Sequence, residues 1–207
     1  PVIDINTNPN NPIIGNRSFG ESKINVTNKA IALMSGEQKE GVFCTGKHFP
    51  GHGSVAPDSH HADAHDDRTF ESIYQQDMQP FMHNIGLLDA LMPAHVVFRQ
   101  VDDKPAGFST KWVKGIIREQ LGFGGVVFSD DLSMKAAHVA GDAGDRLAAA
   151  LSAGCDMGLV CNNRESACTA LEGIANLPMP NQQRLERMRG QIPALNVGQQ
   201  LDLGQYW

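Results

Sequence analysis

Short apolar runs alternate along the chain with longer segments in which apolar residues recur every three or four positions. The runs at residues 1–5, 42–46, 88–92, 126–128 and 157–160 read as strands. Between them the helical period predicts a helix near residues 25–40, with Val26, Ala30, Leu33 and Met34 on one face. A second is expected near 71–85 on the stripe Ile73, Met78, Phe81 and Ile85, bent or broken at Pro80. Further helices are expected at 110–120, capped by Ser109 or Thr110, at 143–153 and at 165–175. Beyond Leu177 the period fades among Pro, Gln and Gly. The chain therefore divides into a strand-helix domain, residues 1–175, and a tail, 176–207, whose packing the pattern leaves open.

Strands separated by helices at this spacing imply βαβ units and a parallel sheet. A doubly wound sheet and a (β/α)8 barrel share that rhythm, and the polar residues separate them. Asp4, Lys47 with His48, His95, Asp130, and Asn162 with Asn163 each fall at or just past the carboxyl end of a different strand. A barrel gathers such ends around one pocket, whereas an open sheet spreads them along a line. No glycine-rich phosphate loop opens any helix, which weighs further against the doubly wound form. The expectation is an α/β fold of TIM (β/α)8 type. Five strands, at most six, can be counted where eight are needed, so the barrel is expected to be truncated on its N-terminal side.

Composition narrows the partners more than the fold. Hydrophobic residues are 41% and charged residues 19%, a globular balance. The net charge of -6 and the absence of a run of basic residues exclude electrostatic binding of nucleic acid or an anionic membrane. No apolar stretch reaches the length of a membrane span. The four cysteines, at 44, 155, 161 and 168, lie in or beside apolar runs and are expected as reduced, mostly buried thiols.

The chemistry concentrates in two places. Lys47-His48-Phe49-Pro50-Gly51-His52-Gly53 is followed by Asp58-Ser59-His60-His61 and then His65. A metal site on His48 and His52 would need a helix to align them, and Pro50 with Gly51 makes one improbable. A polar loop with incidental histidines is the bland alternative. Asp58 and His60, two apart, point the same way if the segment is extended. The carboxylate can then steady an imidazole whose ordinary pKa of about 6.5 suits proton transfer near neutrality. The second place is Ser129-Asp130-Asp131, where two acids end an apolar strand. Asp131 can be a helix N-cap; Asp130, nearer the strand, is the candidate nucleophile. His95 can line the same pocket or serve as a structural hydrogen-bonding residue. Arg17, in the loop after the first strand, is placed to reach over it.

Together these stretches resemble glycoside hydrolase family 3, and within it the bacterial β-N-acetylglucosaminidase branch. The resemblance rests on Lys47 to Gly53 with Asp58-Ser59-His60, on residues 91–96, on 128–134, and on Ala153 to Met157 running into 161–164. It covers residues 1 to about 175 and implies a retaining, exo-acting hydrolase of terminal GlcNAc. In that reading Asp130 is the nucleophile and His60, paired with Asp58, is proton donor and acceptor. Lys47, His48 and Arg17 match positions that hold the sugar. The implied substrates are muropeptides, chiefly GlcNAc on anhydro-muramic acid, in peptidoglycan recycling. The implied setting is a cytoplasmic monomer without metal or cofactor. Two departures stand out: no earlier strand with an acid and a Gly-Gly turn is present, and Gly124 stands where the family often has Asp. Alternatives are a family relative acting on β-glucosides, a phosphorylase, and an inactive sugar-binding remnant.

Overall fold

The computed structural model describes residues 1–55, 64–174, 177 and 179–190. Four strands build the main sheet: β1 (Thr45–Phe49), β3 (Ala90–Pro93), β5 (Val126–Asp131) and β6 (Met157–Leu159). Their spatial order is the chain order, and every neighbouring pair is parallel. The segment around Val2 extends the sheet by a parallel bridge to Lys47. A strictly sequential parallel order has no reversal point. With right-handed crossovers it puts every helix on one face, as in a barrel, and leaves the other face to become the interior. The described strands form an arc of such a barrel. On its concave side Thr45, Lys47, Met92, Phe128 and Leu159 line one cavity of about 350 Å³. A small second sheet pairs β2 (His65–Asp66) with β4 (Val97–Phe98), also in parallel, above the carboxyl ends.

The helices follow the predicted pattern, with informative shifts. Helix α1 (Lys23–Lys39) buries Val26, Ala30 and Met34, but Leu33 lies on its flank and is 40% exposed. The expected helix at 71–85 is two: α2 (Phe70–Gln75) and α3 (Gln79–Asn84). Pro80 sits in the first turn of α3, where a missing N–H costs no intrahelical bond. Residues Lys111–Gln120 wind as a π-helix that buries Trp112, Val113, Ile116 and Ile117. Of the two candidate caps, Ser109 supplies the bond, its hydroxyl accepting from the Trp112 amide at 3.2 Å. Helix α4 (Ala143–Ala153) is closed by a reciprocal capping box between Asp142 and Asp145 and stopped at Gly154, φ 116°. Helices α5 (Arg164–Glu172) and α6 (Gln182–Arg187) follow β6. Helix α6 buries no residue, so hydrophobic periodicity could not reveal it; Asn181, whose side chain accepts from the Arg184 amide, is its local signal.

The first main strand also differs from expectation. It begins at Thr45 and runs through Lys47 and His48, while Val42 and Phe43 before it are 50% and 40% exposed. Polar residues at the active end of a barrel strand hide it from a reading by hydrophobicity. Phe49, the residue after His48, is fully buried and meets Phe81 and Trp112 edge-on at 5.3 and 6.0 Å, with Phe98 against Trp112 at 5.2 Å. This aromatic cluster anchors the end of β1 beneath the site. All four cysteines are free; Cys44 and Cys155 are buried, and Cys168 is exposed rather than buried as expected.

Candidate active site at the carboxyl ends of the strands

The two acids of the Asp130-Asp131 pair meet different surroundings at the end of β5, where its pairing with β6 shifts register between Phe128 and Asp131. Phe128 lines the concave-face cavity. Asp130 lines a second cavity of about 250 Å³ at the mouth, with Ile13, His52, Ala64, His95 and Met134. Its Oδ1 accepts the Asp131 amide at 2.8 Å, which fixes the carboxylate's orientation. Asp131 does different work. Its carboxylate accepts from the Ser133 amide at 2.9 Å, from the Ser133 hydroxyl, and from the Cys161 amide at 3.0 Å, so it ties the end of β5 to the end of β6. Burial by itself would push this acid up; those hydrogen bonds outweigh it and hold its pKa below the ordinary carboxylate value. The helix-cap reading of Asp131 is thereby corrected: its bond to the amide two residues on is an Asx-turn.

His95 follows the end of β3. It is buried, its Nε2 hydrogen-bonds the Asp131 carbonyl at 3.2 Å, and its buried Nδ1 has no hydrogen-bond partner among the described residues. The pocket-lining and structural readings of this residue both hold: it faces the cavity of Asp130 and also braces the backbone beside it. Burial lowers its pKa from 6.5, opposed only in part by the charge of Asp130. His52 is likewise buried and shifted down, against the opposing charges of Asp4 and Asp130. Burial thus disfavours the charged form of both rings beside the carboxylate.

The Lys47–Gly53 segment is held from below by one residue, Asp4. It is fully buried at the end of the first extended segment. Its carboxylate accepts from the His52 amide at 2.7 Å, from the His48 amide at 3.1 Å, and from His48 Nδ1 at 2.8 Å. The His48 and His52 rings stand edge to face at 6.1 Å. The peptide bonds Lys47–His48 and Phe49–Pro50 are cis. Two glycines are demanded by close approach: a Cβ at Gly51, φ 146°, would lie 2.6 Å from the Asp77 Cβ, and one at Gly53 would collide with the Ile5 carbonyl. Asn11 secures the same turn by donating to the His52 and Val55 carbonyls at 2.7 Å.

The sequence-predicted residues are thus distributed unevenly. Asp130 and His95 share one cavity with His52, while Lys47 lines the concave-face cavity beside it. His48 is buried between Asp4 and His52. Arg17 is exposed at the end of a 3₁₀ turn, its Nε donating to the Ile13 carbonyl at 3.0 Å. Asp58 and His60 lie outside the described residues. The stretch that contains them is flanked by Ser54, whose hydroxyl donates to Asp77, and by Arg68, which bridges Asp66 and Asp77. Among the described residues no group of three His, Cys, Asp or Glu side chains could hold a metal ion. His52, read from the sequence as part of the Lys47–Gly53 motif and weighed there as a metal ligand or an incidental loop histidine, lines the cavity of Asp130. Asp4 was visible as a polar strand end, but nothing in the spacing showed what it holds.

A cavity of about 520 Å³ lies elsewhere, among Leu147, Leu151, Met157, Leu171 and Leu185.

An arc of parallel strands that collects a carboxylate and buried histidines at its carboxyl ends has the active-face architecture of a (β/α)8 barrel. The model of the glycosyl hydrolase family 3 N-terminal domain matches residues 1–192. The chain belongs to that family. A beta-hexosaminidase of Pseudomonas aeruginosa is 50% identical over 190 residues, covering 92% of this chain and 57% of the relative. One from Idiomarina loihiensis is 45% identical over 197 residues, covering 95% and 58%. Among solved structures, NagZ from Neisseria gonorrhoeae in complex with N-trifluoroacetyl-D-glucosamine superposes with a TM-score of 0.80 at 40% identity, over 93% of this chain and 55% of that one. A family 3 beta-N-acetylglucosaminidase from Paenibacillus gives 0.82 at 33% identity, over 96% and 41%. The chain spans little more than half the length of the curated relatives it matches.

Proposed function

We propose that this chain carries the nucleophile side of a retaining, exo-acting β-N-acetylglucosaminidase that removes terminal GlcNAc from muropeptides in peptidoglycan recycling. The observation that carries the reading is Asp130, oriented by a backbone amide and lining a cavity with the buried His52 and His95. Its placement at the end of a barrel strand suits a fixed nucleophile. The relatives named beta-hexosaminidase and the N-acetylglucosamine-type ligand of the Neisseria structure support the substrate class.

In the first step the oxygen of Asp130 not engaged by the Asp131 amide attacks the anomeric carbon. The glycosidic bond breaks as the leaving oxygen takes a proton from His60. In the second step His60 removes a proton from water, whose oxygen displaces Asp130 and restores the starting configuration. Asp58 steadies the imidazolium that enters the first step and re-forms in the second, and Lys47, His48 and Arg17 hold the sugar hydroxyls. A neutral His52 and His95 do not compete with the anomeric centre for the carboxylate.

The test is turnover of nitrophenyl N-acetyl-β-glucosaminide, with the first-formed anomer followed by NMR. Release of the β-anomer that Asp130→Ala abolishes is the expected result; equal turnover in Asp130→Ala, or a first-formed α-anomer, overturns the assignment. His60→Ala should hurt less on this substrate than on a natural disaccharide, because nitrophenolate leaves with little protonation.

A further inference from the structure

Asp4 has no part in the bond-making steps above, yet it is buried and both its oxygens are engaged. Its side chain is 0% exposed, and its two oxygens take the His48 amide, the His52 amide and His48 Nδ1. An ionised carboxylate only accepts hydrogen bonds. At 2.8 Å the nitrogen facing Oδ2 must therefore carry a proton. In a neutral imidazole a proton on Nδ1 leaves the lone pair on Nε2.

We propose that Asp4 is a positioning residue that fixes His48 in its Nδ1–H form, so that Nε2 presents a hydrogen-bond acceptor to the site. The same carboxylate holds the His48 and His52 amides, so one buried acid sets both the path of the segment and the tautomer of its first histidine. With Nδ1 turned toward a carboxylate that has no exposure, Nε2 is the nitrogen left to face the ligand; the His48 side chain keeps 7% of its surface. The consequence for the ligand rests on the reading of His48 as a sugar-holding residue: the hydroxyl that meets Nε2 is then a donor.

Asp4→Asn tests this with almost no change of shape. Its amide oxygen can still accept from the two backbone amides, which turns the NH2 group toward His48 Nδ1. That nitrogen must then carry the lone pair, and the proton moves to Nε2. The readout is the ring nitrogen spectrum of His48 in ¹⁵N-labelled chain, assigned by its disappearance in His48→Asn. The wild type is expected to show a protonated Nδ1 and an acceptor Nε2, and Asp4→Asn the reverse. Both spectra are recorded above the range in which the ring gains a second proton. A wild-type ring protonated on Nε2, or one that exchanges freely between forms, overturns the proposal even if the variant does not fold. So does a folded Asp4→Asn with the wild-type tautomer. Titration with GlcNAc separates the ligand role. Wild-type binding should shift Nε2, and affinity should fall about tenfold in Asp4→Asn, the loss expected for one neutral hydrogen bond. A reversed tautomer without any GlcNAc shift in the wild type would overturn the sugar-holding role of His48 and leave the tautomer assignment standing.

Discussion

Asp130 and Asp131 are chemically identical and adjacent, and their different surroundings at the irregular end of β5 give them different work. Asp131 faces Ser133 and the Cys161 amide. Asp131→Ala should therefore lower stability by about 1–3 kcal/mol, the cost of leaving such donors unpaired, with a matching fall in the thermal midpoint. Asp130→Ala should leave the midpoint nearly unchanged and remove turnover, and a parallel melt and assay of the two variants separates the roles. The buried histidines make a pH prediction. Burial depresses the pKa values of His52 and His95 in the folded chain. Below about pH 6.5 the unfolded chain binds protons that these rings refuse, so their contribution to stability is full above that pH and erodes as pH falls beneath it. His95→Gln should flatten the acid side of a stability profile measured between pH 7 and pH 5 by denaturant titration. An unchanged slope would mean that His95 takes its proton in the fold as readily as out of it.

Elements place these residues, and their own chemistry was unequally legible. The helix predicted near 143–153 spans Ala143–Ala153, and the structure closes it with the Asp142 capping box. The break at Pro80 was legible because proline removes an amide. Strand β1 was misplaced by three residues because Lys47 and His48 belong to it, and polarity at a functional strand end counters the pattern that marks a strand. Glycines show the same division between local and long-range causes. Gly36 lies within α1 with nothing within 4 Å of an added Cβ, whereas Gly53 approaches the Ile5 backbone too closely for one. Gly36→Ala should stabilise the chain by about 0.5–1 kcal/mol through helix propensity. Gly53→Ala should destabilise it and disturb the Asp4 contacts. Chemical denaturation of the two variants should shift in opposite directions, because only Gly53 meets backbone from a distant segment.

Across the whole molecule one buried acid joins the far end of the sheet to the last described helix. Asp156, ahead of β6, takes Arg118 on one oxygen and Arg184 of α6 on the other, each at 2.6 Å, and also accepts the Val127 amide at 2.9 Å. Arg118 in addition donates to the Phe123 and Gly125 carbonyls. Removing the acid strands two guanidinium groups that are 16% and 25% exposed. Asp156→Ala is expected to cost about 3 kcal/mol or more, as for other broken buried pairs. Arg184→Ala should cost less and act mainly by releasing α6, which hydrogen exchange of its amides would report.

The sequence by itself determined the alternation of strands and helices, the barrel class, the family, and the residue types available for chemistry. Those follow from local periodicity, from turn chemistry and from motifs that are contiguous in the chain. Only the tertiary structure decided which groups meet. Asp4 and His48 are 44 residues apart and in contact because parallel neighbours in a sheet bring together strand ends that the chain separates. His52, His95 and Asp130 share a cavity for the same reason. Whether a histidine is neutral, and on which nitrogen it carries its proton, depends on burial and on the group opposite it, and neither is written in the neighbouring residues.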